Sequence, residues 1–479
     1  MLLRELLCDA AGKFSDLRIS GVTCNSKKVQ KGCAFVCIKG TGTDGHNYAE
    51  SAQKSGASVI ITQKDLGLKN QIIVDNTRKT YALMCAKWFG SPANKLKLVG
   101  ITGTNGKTSV TYMLKSILEQ AGHKVGLIGT IQNLIGDEVI DSHNTTPEAY
   151  ELNSLFDRMV KSGCDYCVME VSSHALDQYR VSDLPFEVAV FTNLTQDHLD
   201  YHITMDNYLL AKKRLFSMCK TAVINADDEY AQRITEGLDC KIVTCSAGNN
   251  GICSARAVKY RPDSIEYELL SGGKLNHIKV STGGSFTVYN SMLASVAALE
   301  LGIGIEDIKR ALLSMHGVKG RAESVPTGRD FTVIIDYAHT PDGLKNIIST
   351  FGECEKNRLI LLFGCGGDRD KTKRPIMGNI AARGADYVIV TSDNPRSEEP
   401  RAIIDDILEG MKDFNTPIKV IENRIEAIKY AVGIAQSGDI IVLAGKGHET
   451  YQILKDETIH LDEREVIKEA LAEIGGEDR

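Results

Sequence analysis

One segment near residue 100 constrains the fold of this chain more than any other. The apolar stretch KLVGIT runs into a glycine-rich loop at residues 103–109, and a helical pattern follows that ends at Ala121 and Gly122. An apolar strand, a glycine turn and a helix in direct succession are typical of a βα unit in a parallel sheet. The segment therefore predicts an α/β fold.

The loop itself carries the residues of a phosphate site. Gly106, Lys107 and Thr108 match the end of the pattern G-x-x-x-x-G-K-[ST], and Gly103 stands four residues before the lysine, which gives a shortened variant. Backbone N–H groups at a helix N-terminus favour phosphate oxygens, the lysine adds charge near the β and γ phosphates, and the threonine hydroxyl can bind Mg²⁺. These features predict nucleotide binding, with a plain glycine-rich turn into a helix as the alternative.

The rest of the chain indicates three domains. A length of 479 residues exceeds one compact core, and chains of this size hold about three domains. Short apolar runs between Gly, Asn and Ser clusters predict an N-terminal mixed α/β domain at 1–92. Alternating strands and helices predict a central parallel-sheet P-loop domain that binds ATP at 93–322, and a second alternation predicts a doubly wound, Rossmann-like domain at 323–479.

Charge and cysteine content narrow the class of protein. The chain has 56 basic and 62 acidic residues, a net charge of −6, which argues against a nucleic-acid-binding surface. No apolar run approaches the roughly 20 residues that span a bilayer, and the charges near the start of MLLRELLCDAAGKF lead us to expect that it is not a signal peptide. Thirteen scattered cysteines suggest reduced thiols. We expect a cytoplasmic, monomeric protein that acts on small molecules, without nucleic-acid or membrane partners.

Four motifs, in order along the chain, resemble the Mur ligase family: TGTNGKTS, DHLDYH, DYAHTP and GKGHE. The resemblance covers nearly the whole chain and is greatest to the members that extend UDP-N-acetylmuramoyl-L-alanyl-D-glutamate by a third residue. The family consists of ATP-dependent amide-bond ligases of peptidoglycan precursor synthesis. The resemblance implies that ATP phosphorylates the γ-carboxylate of the D-glutamate end, and that an amino acid's amine then displaces phosphate from the acyl phosphate.

The resemblance also implies a set of catalytic side chains, namely Lys107, Glu170, His198 and Lys212. It implies that Mg²⁺ is held by Thr108, Glu170, His198 and Lys212, the last as a carbamate formed with CO₂. A lysine that loses its proton easily, through burial near charge, suits that modification. Without the resemblance, the basic run YLLAKKRLF would indicate a solvated helix face, and Lys213 is the rival site.

Two sets of nucleotide contacts follow from the same resemblance. The positions that match ATP contacts are Gly103, Thr104, Asn105, Gly106, Lys107, Thr108, Ser109, Asn290, Arg321, Asp336 and His339. The positions that match contacts to the UDP-sugar substrate are Ser26, Thr41, Gly42, Thr43, Asn144, Thr145, Thr146, Ser172, Gln178 and Arg180. Arg321 would reach the phosphates when domains close. The family's D-S-R triplet reads Asn25-Ser26-Lys27 here, a departure at the uridine site.

The sequence of the C-terminal domain indicates which amino acid is added. The family's amino-acid contacts match Arg369, Asp393, Asn394, Pro395, Arg396, Gly445 and Glu449. The run DNPR resembles that of members that add meso-2,6-diaminopimelate, which differs from L-lysine by one far carboxylate. A planar guanidinium can bind such a carboxylate through two hydrogen bonds, and Glu449 would receive the far ammonium group. We therefore predict diaminopimelate rather than lysine.

Two other classes of protein remain open at this point, together with one nearer rival, another amide ligase of the same superfamily. A P-loop kinase or motor ATPase would use the same loop but would leave the charged strand ends of the last domain unexplained. A scaffold that has lost catalysis would not need Lys107, Glu170, His198 and Lys212. A folylpolyglutamate synthase would not need both the DNPR and GKGHE runs.

Overall fold

A computed structural model describes residues 1–40, 42–248, 250–261, 264–315, 317–352 and 354–476. They form two compact units. The first unit contains Met1–Ile224, Asp228–Val243 and Ala297–Ile303, and the second contains Asn225–Asp227, Thr244–Val296 and Gly304–Arg479. The predicted domain boundaries at 92/93 and 322/323 stay predictions.

The N-terminal part of the first unit folds around a small parallel sheet. Its α-helices and strands are α1 (Leu3–Leu7), β1 (Val22–Thr23), β2 (Ala34–Val36), α2 (Ala49–Lys54), β3 (Val59–Thr62), β4 (Gln71–Ile73) and α3 (Thr77–Trp88), with 3-10 helices at Cys8–Phe14, Ser26–Lys28, Gly45–Tyr48 and Pro92–Lys95. The strands pair in parallel in the order β1-β2-β3-β4. The apolar runs expected to be strands are thus strands β2 to β4, and their buried side chains pack on α1 and α3.

The remainder of the first unit is a larger sheet with helices between its strands. Its elements are β5 (Lys97–Thr102), α4 (Lys107–Gln120), β6 (Val125–Ile128), β7 (Gln132–Ile135), β8 (Glu138–Asp141), α5 (Ala149–Lys161), β9 (Tyr166–Glu170), α6 (Ser173–Asp177), β10 (Phe186–Phe191), α7 (Leu199–His202), α8 (Met205–Lys213), a 3-10 helix (Arg214–Met218), β11 (Cys219–Asn225) and α9 (Ala231–Thr235). Strands β10, β5 and β9 are parallel neighbours. Their carboxyl ends therefore lie at one edge, where ligands collect in such sheets.

Strand β12 (Lys241–Ser246) spans the division between the units. The second unit then contains an antiparallel meander that the alternating pattern did not predict: β13 (Cys253–Tyr260), β14 (Ile265–Ser271) and β15 (Lys274–Val280). Two helices follow the meander, α10 (Ser285–Glu300) and α11 (Ile305–Ser314).

The C-terminal region confirms the doubly wound prediction. Its elements are β16 (Glu323–Val325), β17 (Thr332–Asp336), α12 (Pro341–Gly352), β18 (Leu359–Phe363), α13 (Lys373–Gly384), β19 (Tyr387–Val390), α14 (Pro400–Glu409), β20 (Ile418–Val420), α15 (Arg424–Gly433), β21 (Ile440–Ala444), β22 (Tyr451–Ile453), β23 (Thr458–His460) and α16 (Glu463–Gly476). The sheet order is β16-β17-β21-β18-β19-β20, parallel except for β16.

Alternate residues of these strands pack in two separate apolar clusters, as expected for a sheet that is covered on both faces. Leu361 and Val388 join one cluster with residues of α12, α13 and α14, while Leu362 and Ile389 join the other with residues of α15 and α16. Within the described ranges, no helix is long and apolar enough to cross a bilayer. All thirteen cysteines are free thiols.

Candidate functional site

The glycine loop lies where the sequence predicted it, between β5 and α4. Gly103 has φ +151°, and a Cβ there would lie 1.8 Å from the Thr192 hydroxyl, so the close approach of this segment requires glycine. Asn193 fixes the loop from the end of β10, because its carbonyl accepts from Thr104 N (2.9 Å) and its side-chain oxygen accepts from Asn105 N (2.9 Å). The loop is therefore held by the neighbouring strand as well as by its own helix.

Two lysines point at the backbone of this loop. Lys107 Nζ donates to the carbonyls of Gly103 (2.9 Å) and Thr104 (2.8 Å), and Lys212 Nζ donates to Gly103 O (2.8 Å). Lys212 is buried, 4.4 Å from the ring centroid of Tyr208. Burial, and next the charge of Lys107, lower the pKa of Lys212 well below its usual range. The environment favours the neutral amine, the form that can react with CO₂.

Glu170 is a fully buried carboxylate at the end of β9. Its Oε2 accepts hydrogen bonds from the hydroxyls of Thr108 (3.0 Å) and Thr130 (3.0 Å), and its Oε1 accepts from Thr130 N (2.9 Å). A hydroxyl and a carboxylate side by side are the hard oxygen ligands that Mg²⁺ takes in proteins. The donor set fits a magnesium ion, and Thr130 is a partner that the sequence did not reveal.

His198 lies just before α7 in a left-handed backbone conformation, φ +53°. Burial lowers its pKa, the Asp197 carboxylate opposes that shift, and the charges of Lys107 and Lys212 add to it. His198 is thus within electrostatic range of both lysines. Among the described residues, no three His, Cys, Asp or Glu side chains form a ready metal site. The assignment of Mg²⁺ to Thr108, Glu170, His198 and carbamylated Lys212 stays a prediction.

Several positions predicted to contact the UDP-sugar form one hydrogen-bonded group. The Thr146 hydroxyl donates to Glu170 O (2.9 Å) and accepts from Ser172 N (3.0 Å). Arg180 donates to Thr146 O (3.0 Å) and to Gln178 Oε1 (2.8 Å). The group therefore adjoins the strand end that carries Glu170.

The other predicted UDP-sugar positions are less tightly connected. The Thr145 hydroxyl lies 3.0 Å from that of Thr130, and Asn144 is exposed beside it. No hydrogen bond between described residues ties the remaining set to this group: Ser26, Gly42 and Thr43. Thr41 lies outside the described residues. Arg78 is a residue that the sequence reasoning missed, since its guanidinium joins Lys39 O (2.9 Å) and Gln178 Oε1 (3.5 Å).

Three of the predicted ATP contacts in the second unit lie together at the end of β17. Asp336 accepts from the backbone of Ala322 (2.7 Å) and Ala338 (2.8 Å). The Arg321 guanidinium lies 4.8 Å from the ring centroid of Tyr337, whose carbonyl is 2.7 Å from the Nδ1 of the third residue, His339. Asn290, the fourth, is buried in α10, and the contacts of the described residues do not join it to this group.

The predicted amino-acid contacts follow β18, β19 and β21, which are neighbours in the C-terminal sheet. Lys446 is fully buried and donates to Asn394 Oδ1 (2.9 Å) and Glu449 Oε2 (3.0 Å), while Asn394 Nδ2 donates to the same Glu449 oxygen (2.9 Å). Gly445 lies against the carboxylate of Asp393. Two fixed donors hold Glu449 in place, and Lys446, inside the GKGHE run itself, was missed.

A buried ion pair adjoins this group of residues, which we call the amino-acid pocket. Arg424 donates to Glu463 Oε1 (2.8 Å) and to Ala444 O (3.0 Å), so it connects the end of β21 with α16. Both charged side chains are fully buried, and burial raises the pKa of Glu463 while Arg424 opposes the rise. The buried pair therefore fixes the chain just before Gly445 to helix α16.

The predicted arginines lie at the rim. Arg396 has φ +53° and donates to Gly367 O (2.9 Å), and Pro395 precedes it in the same loop. Arg369 is exposed and donates to Asp368 O (3.0 Å). The structure brings Asp393, Asn394, Glu449 and Gly445 into one group, with Arg396 beside it and Arg369 at the surface.

Three family models match this chain. The Mur ligase family catalytic domain matches residues 18–84, the Mur ligase middle domain matches 101–298, and the Mur ligase glutamate ligase domain matches 320–447. The chain belongs to the Mur ligase family. The resemblance inferred from the four motifs is confirmed.

Curated Mur ligases of one kind are similar over nearly the full chain. The UDP-N-acetylmuramoyl-L-alanyl-D-glutamate–2,6-diaminopimelate ligase of Caldanaerobacter subterraneus subsp. tengcongensis is 50% identical over 459 residues, covering 95% of each chain. A ligase of the same name from Clostridium acetobutylicum is 47% identical over 475 residues, covering 98% of this chain and 97% of its own.

Solved Mur ligase structures share the fold. A structure of a UDP-N-acetylmuramoyl-L-alanyl-D-glutamate–2,6-diaminopimelate ligase superposes with TM-score 0.76 at 30% identity and covers 99% of both chains. The MurF ligase of Thermotoga maritima, solved in complex with ADP, superposes with TM-score 0.62 at 19% identity, covering 96% of this chain and 97% of its own. The second likeness shows the three-domain Mur ligase fold alone.

Proposed function

We propose that this chain is the ATP-dependent ligase that joins meso-2,6-diaminopimelate to UDP-N-acetylmuramoyl-L-alanyl-D-glutamate in peptidoglycan precursor synthesis. The observation that carries the proposal is the contact between two loops: Asn394 of the DNPR run and Lys446 of the GKGHE run hold Glu449, and Arg396 stands beside them. The curated ligases of that name, 50% and 47% identical over nearly the full chain, support it. ATP and a nucleotide-linked substrate are cytoplasmic metabolites, so we place the reaction there.

In the first step, the phosphate loop would hold ATP while the γ-carboxylate of the dipeptide nucleotide takes the γ-phosphate. The backbone N–H groups at the start of α4 and the ammonium of Lys107 would stabilise the negative charge that gathers on the transferring group. Arg180 and Gln178, already joined to each other, would orient the nucleotide substrate.

Mg²⁺ would be held by Thr108 and Glu170, with His198 and carbamylated Lys212 as further ligands, and would supply positive charge that reduces repulsion between the carboxylate and the polyphosphate. The buried hydroxyl–carboxylate pair supports the first two assignments. The low pKa of Lys212 supports the modification, because a neutral amine can add to CO₂ and release one proton.

In the second step, the amine of the amino acid attacks the acyl phosphate, and inorganic phosphate leaves. The far end of meso-diaminopimelate carries a carboxylate and an ammonium group. The Arg396 guanidinium would bind the carboxylate and Glu449 the ammonium. Because the two ends of diaminopimelate carry the same groups, these contacts would give the substrate a single orientation. L-Lysine lacks that carboxylate and would leave Arg396 without its partner.

Product analysis tests the proposal. The purified chain is incubated with ATP, Mg²⁺, the dipeptide nucleotide and either meso-diaminopimelate or L-lysine, and the nucleotide product is identified by mass spectrometry. We expect the mass of the dipeptide nucleotide to rise by one diaminopimelyl residue, with one ADP per product. Exclusive formation of the lysine adduct, or ATP hydrolysis without a new amide, would contradict the proposal.

A further inference from the structure

We propose that Arg374 and Glu398 form a clamp that positions the amino-acid pocket and sets its affinity for the diamino acid without touching that substrate. The inference rests on the proposed function. Neither residue is among the predicted amino-acid contacts, and the connection between the two is visible only in the folded chain.

Arg374 lies in the first turn of α13 and provides the cation of the clamp. Its guanidinium is fully buried and bonds both oxygens of Glu398, with Nη2 to Oε1 at 2.9 Å and Nη1 to Oε2 at 3.1 Å. Nη1 also donates to Asp406 Oδ2 on α14 at 2.9 Å. A buried cation needs paired anions, and the two-point geometry is one that arginine can make and lysine cannot.

Glu398 carries the clamp to the loop that follows β18. Its Oε1 also accepts from Asp368 N at 2.7 Å, and the Arg374 guanidinium is the main reason that its pKa falls to about 2. Asp368 in turn accepts from the Ser397 hydroxyl at 2.6 Å and from Ser397 N at 3.3 Å. The side chains of Asp368, Ser397 and Glu398 therefore connect the loop after β18 with the loop after β19.

These are the loops that carry the two predicted substrate arginines. Arg369 follows Asp368 directly, and Arg396 precedes Ser397. Both Asp368 (φ +54°) and Arg396 (φ +53°) adopt the left-handed conformation, which non-glycine residues hold only where the surroundings enforce it. The clamp would hold both residues in this conformation, because its hydrogen bonds tie down both loops. The Arg396 guanidinium also donates to Gly367 O (2.9 Å).

A binding arginine works only if its guanidinium meets the substrate carboxylate in the right orientation, and a small displacement is costly. Loosening the clamp should therefore weaken binding of the amino acid. It should leave ATP binding and the chemistry of phosphate transfer intact, because the clamp touches none of the residues predicted to bind ATP.

The test measures kcat and the KM values for meso-diaminopimelate and ATP in Arg374→Lys, Glu398→Gln and Ser397→Ala. Arg401→Ala is the matched control, because Arg401 forms an exposed ion pair with Asp405 (2.9 Å) on the adjacent helix α14. We expect the KM for the diamino acid to rise roughly tenfold or more in the first two variants and less in the third. We expect the KM for ATP and kcat to stay within about twofold of wild type, and the control to match wild type.

Unchanged KM for the diamino acid in folded Arg374→Lys and Glu398→Gln would overturn the clamp, as would equal increases in the KM for both substrates. If a buried-site variant does not fold, the exposed Ser397→Ala and Asp368→Asn decide the question by the same KM criterion. If wild-type protein uses another amino acid, the proposed function fails, and the clamp is judged by the KM for that amino acid instead.

Discussion

The basic side chains of the phosphate loop and of the amino-acid pocket have different hydrogen-bond partners. In the first unit, Lys107 and Lys212 donate to main-chain carbonyls of the loop. In the second unit, Lys446, Arg374 and Arg424 meet carboxylates at 2.7 to 3.0 Å. Carbonyl contacts hold the amines of Lys107 and Lys212 against the loop, where Lys107 would meet phosphate and the neutral amine of Lys212 could react with CO₂. Carboxylate contacts instead fix the shape of the pocket, which suits selection of one amino acid.

The largest effect should come from Lys107. Replacing it with Met removes the ammonium next to the transferring phosphate, and loss of one such stabilising group costs on the order of 10²–10³ in kcat. Amino-acid-dependent phosphate release measures it. A Lys107→Met protein with near wild-type kcat would show that the Lys107 ammonium does not stabilise the transferring phosphate, as the comparison of the two sites requires.

The next largest effect separates Lys212 from its neighbour. Lys212→Ala should lose roughly 10²-fold in activity and regain part of it when short carboxylic acids are added, because these replace the carbamate. Lys213→Ala is the matched control, since its Nζ is exposed and donates to Arg233 O (2.8 Å). Full activity of Lys212→Ala without added acid would refute carbamylation at this site.

A stability measurement examines the paired charges of the second unit. Arg424→Met leaves the Glu463 carboxylate buried without its cation, and breaking such a pair costs about 3–5 kcal/mol. Arg401→Ala, in an exposed pair, should cost less than about 1 kcal/mol. Urea unfolding followed by circular dichroism compares the two. Equal midpoints would show that the Arg424–Glu463 pair does not stabilise the fold.

The smallest effect concerns acid sensitivity. The pKa of Glu398 in the folded chain, about 2, lies below the ordinary glutamate value of 4.5. Its ion pair therefore stabilises the fold above pH 4.5, and that contribution is lost as pH falls from 4.5 towards 2. Glu398→Gln should show a shallower loss of stability over that range. Identical pH profiles of the urea midpoint would contradict the assignment.

Short-range patterns made most of the fold readable from the sequence. The KLVGIT strand, the glycine loop and helix α4 follow one another, so local propensity and turn chemistry fix them together. The meander β13 to β15 was missed because its strands were sought as part of a βα alternation. Gly272 and Gly273, between β14 and β15, were the available hairpin signal.

Only part of the candidate site could be predicted from the sequence, because some of its residues act through partners that are distant along the chain. Glycines, Lys107 and the DNPR run stand in contiguous motifs, whereas Thr130 and Glu398 act through partners 40 and 24 residues away, Glu170 and Arg374. Such pairings depend on which strands become neighbours in the sheet. Lys446 is the exception, since it lies within GKGHE and its position next to Glu449 could have been suspected.

The selectivity of the chain for its amino acid is where the role proposed for Arg396 has its clearest consequence. The measurement is kcat/KM for meso-diaminopimelate and for L-lysine, by phosphate release with the dipeptide nucleotide, in wild type and Arg396→Ala. We expect wild type to prefer diaminopimelate by roughly 10²-fold or more, and Arg396→Ala to remove most of this preference by losing activity with diaminopimelate alone. Equal use of lysine by wild type, or a preference that survives in Arg396→Ala, would contradict it.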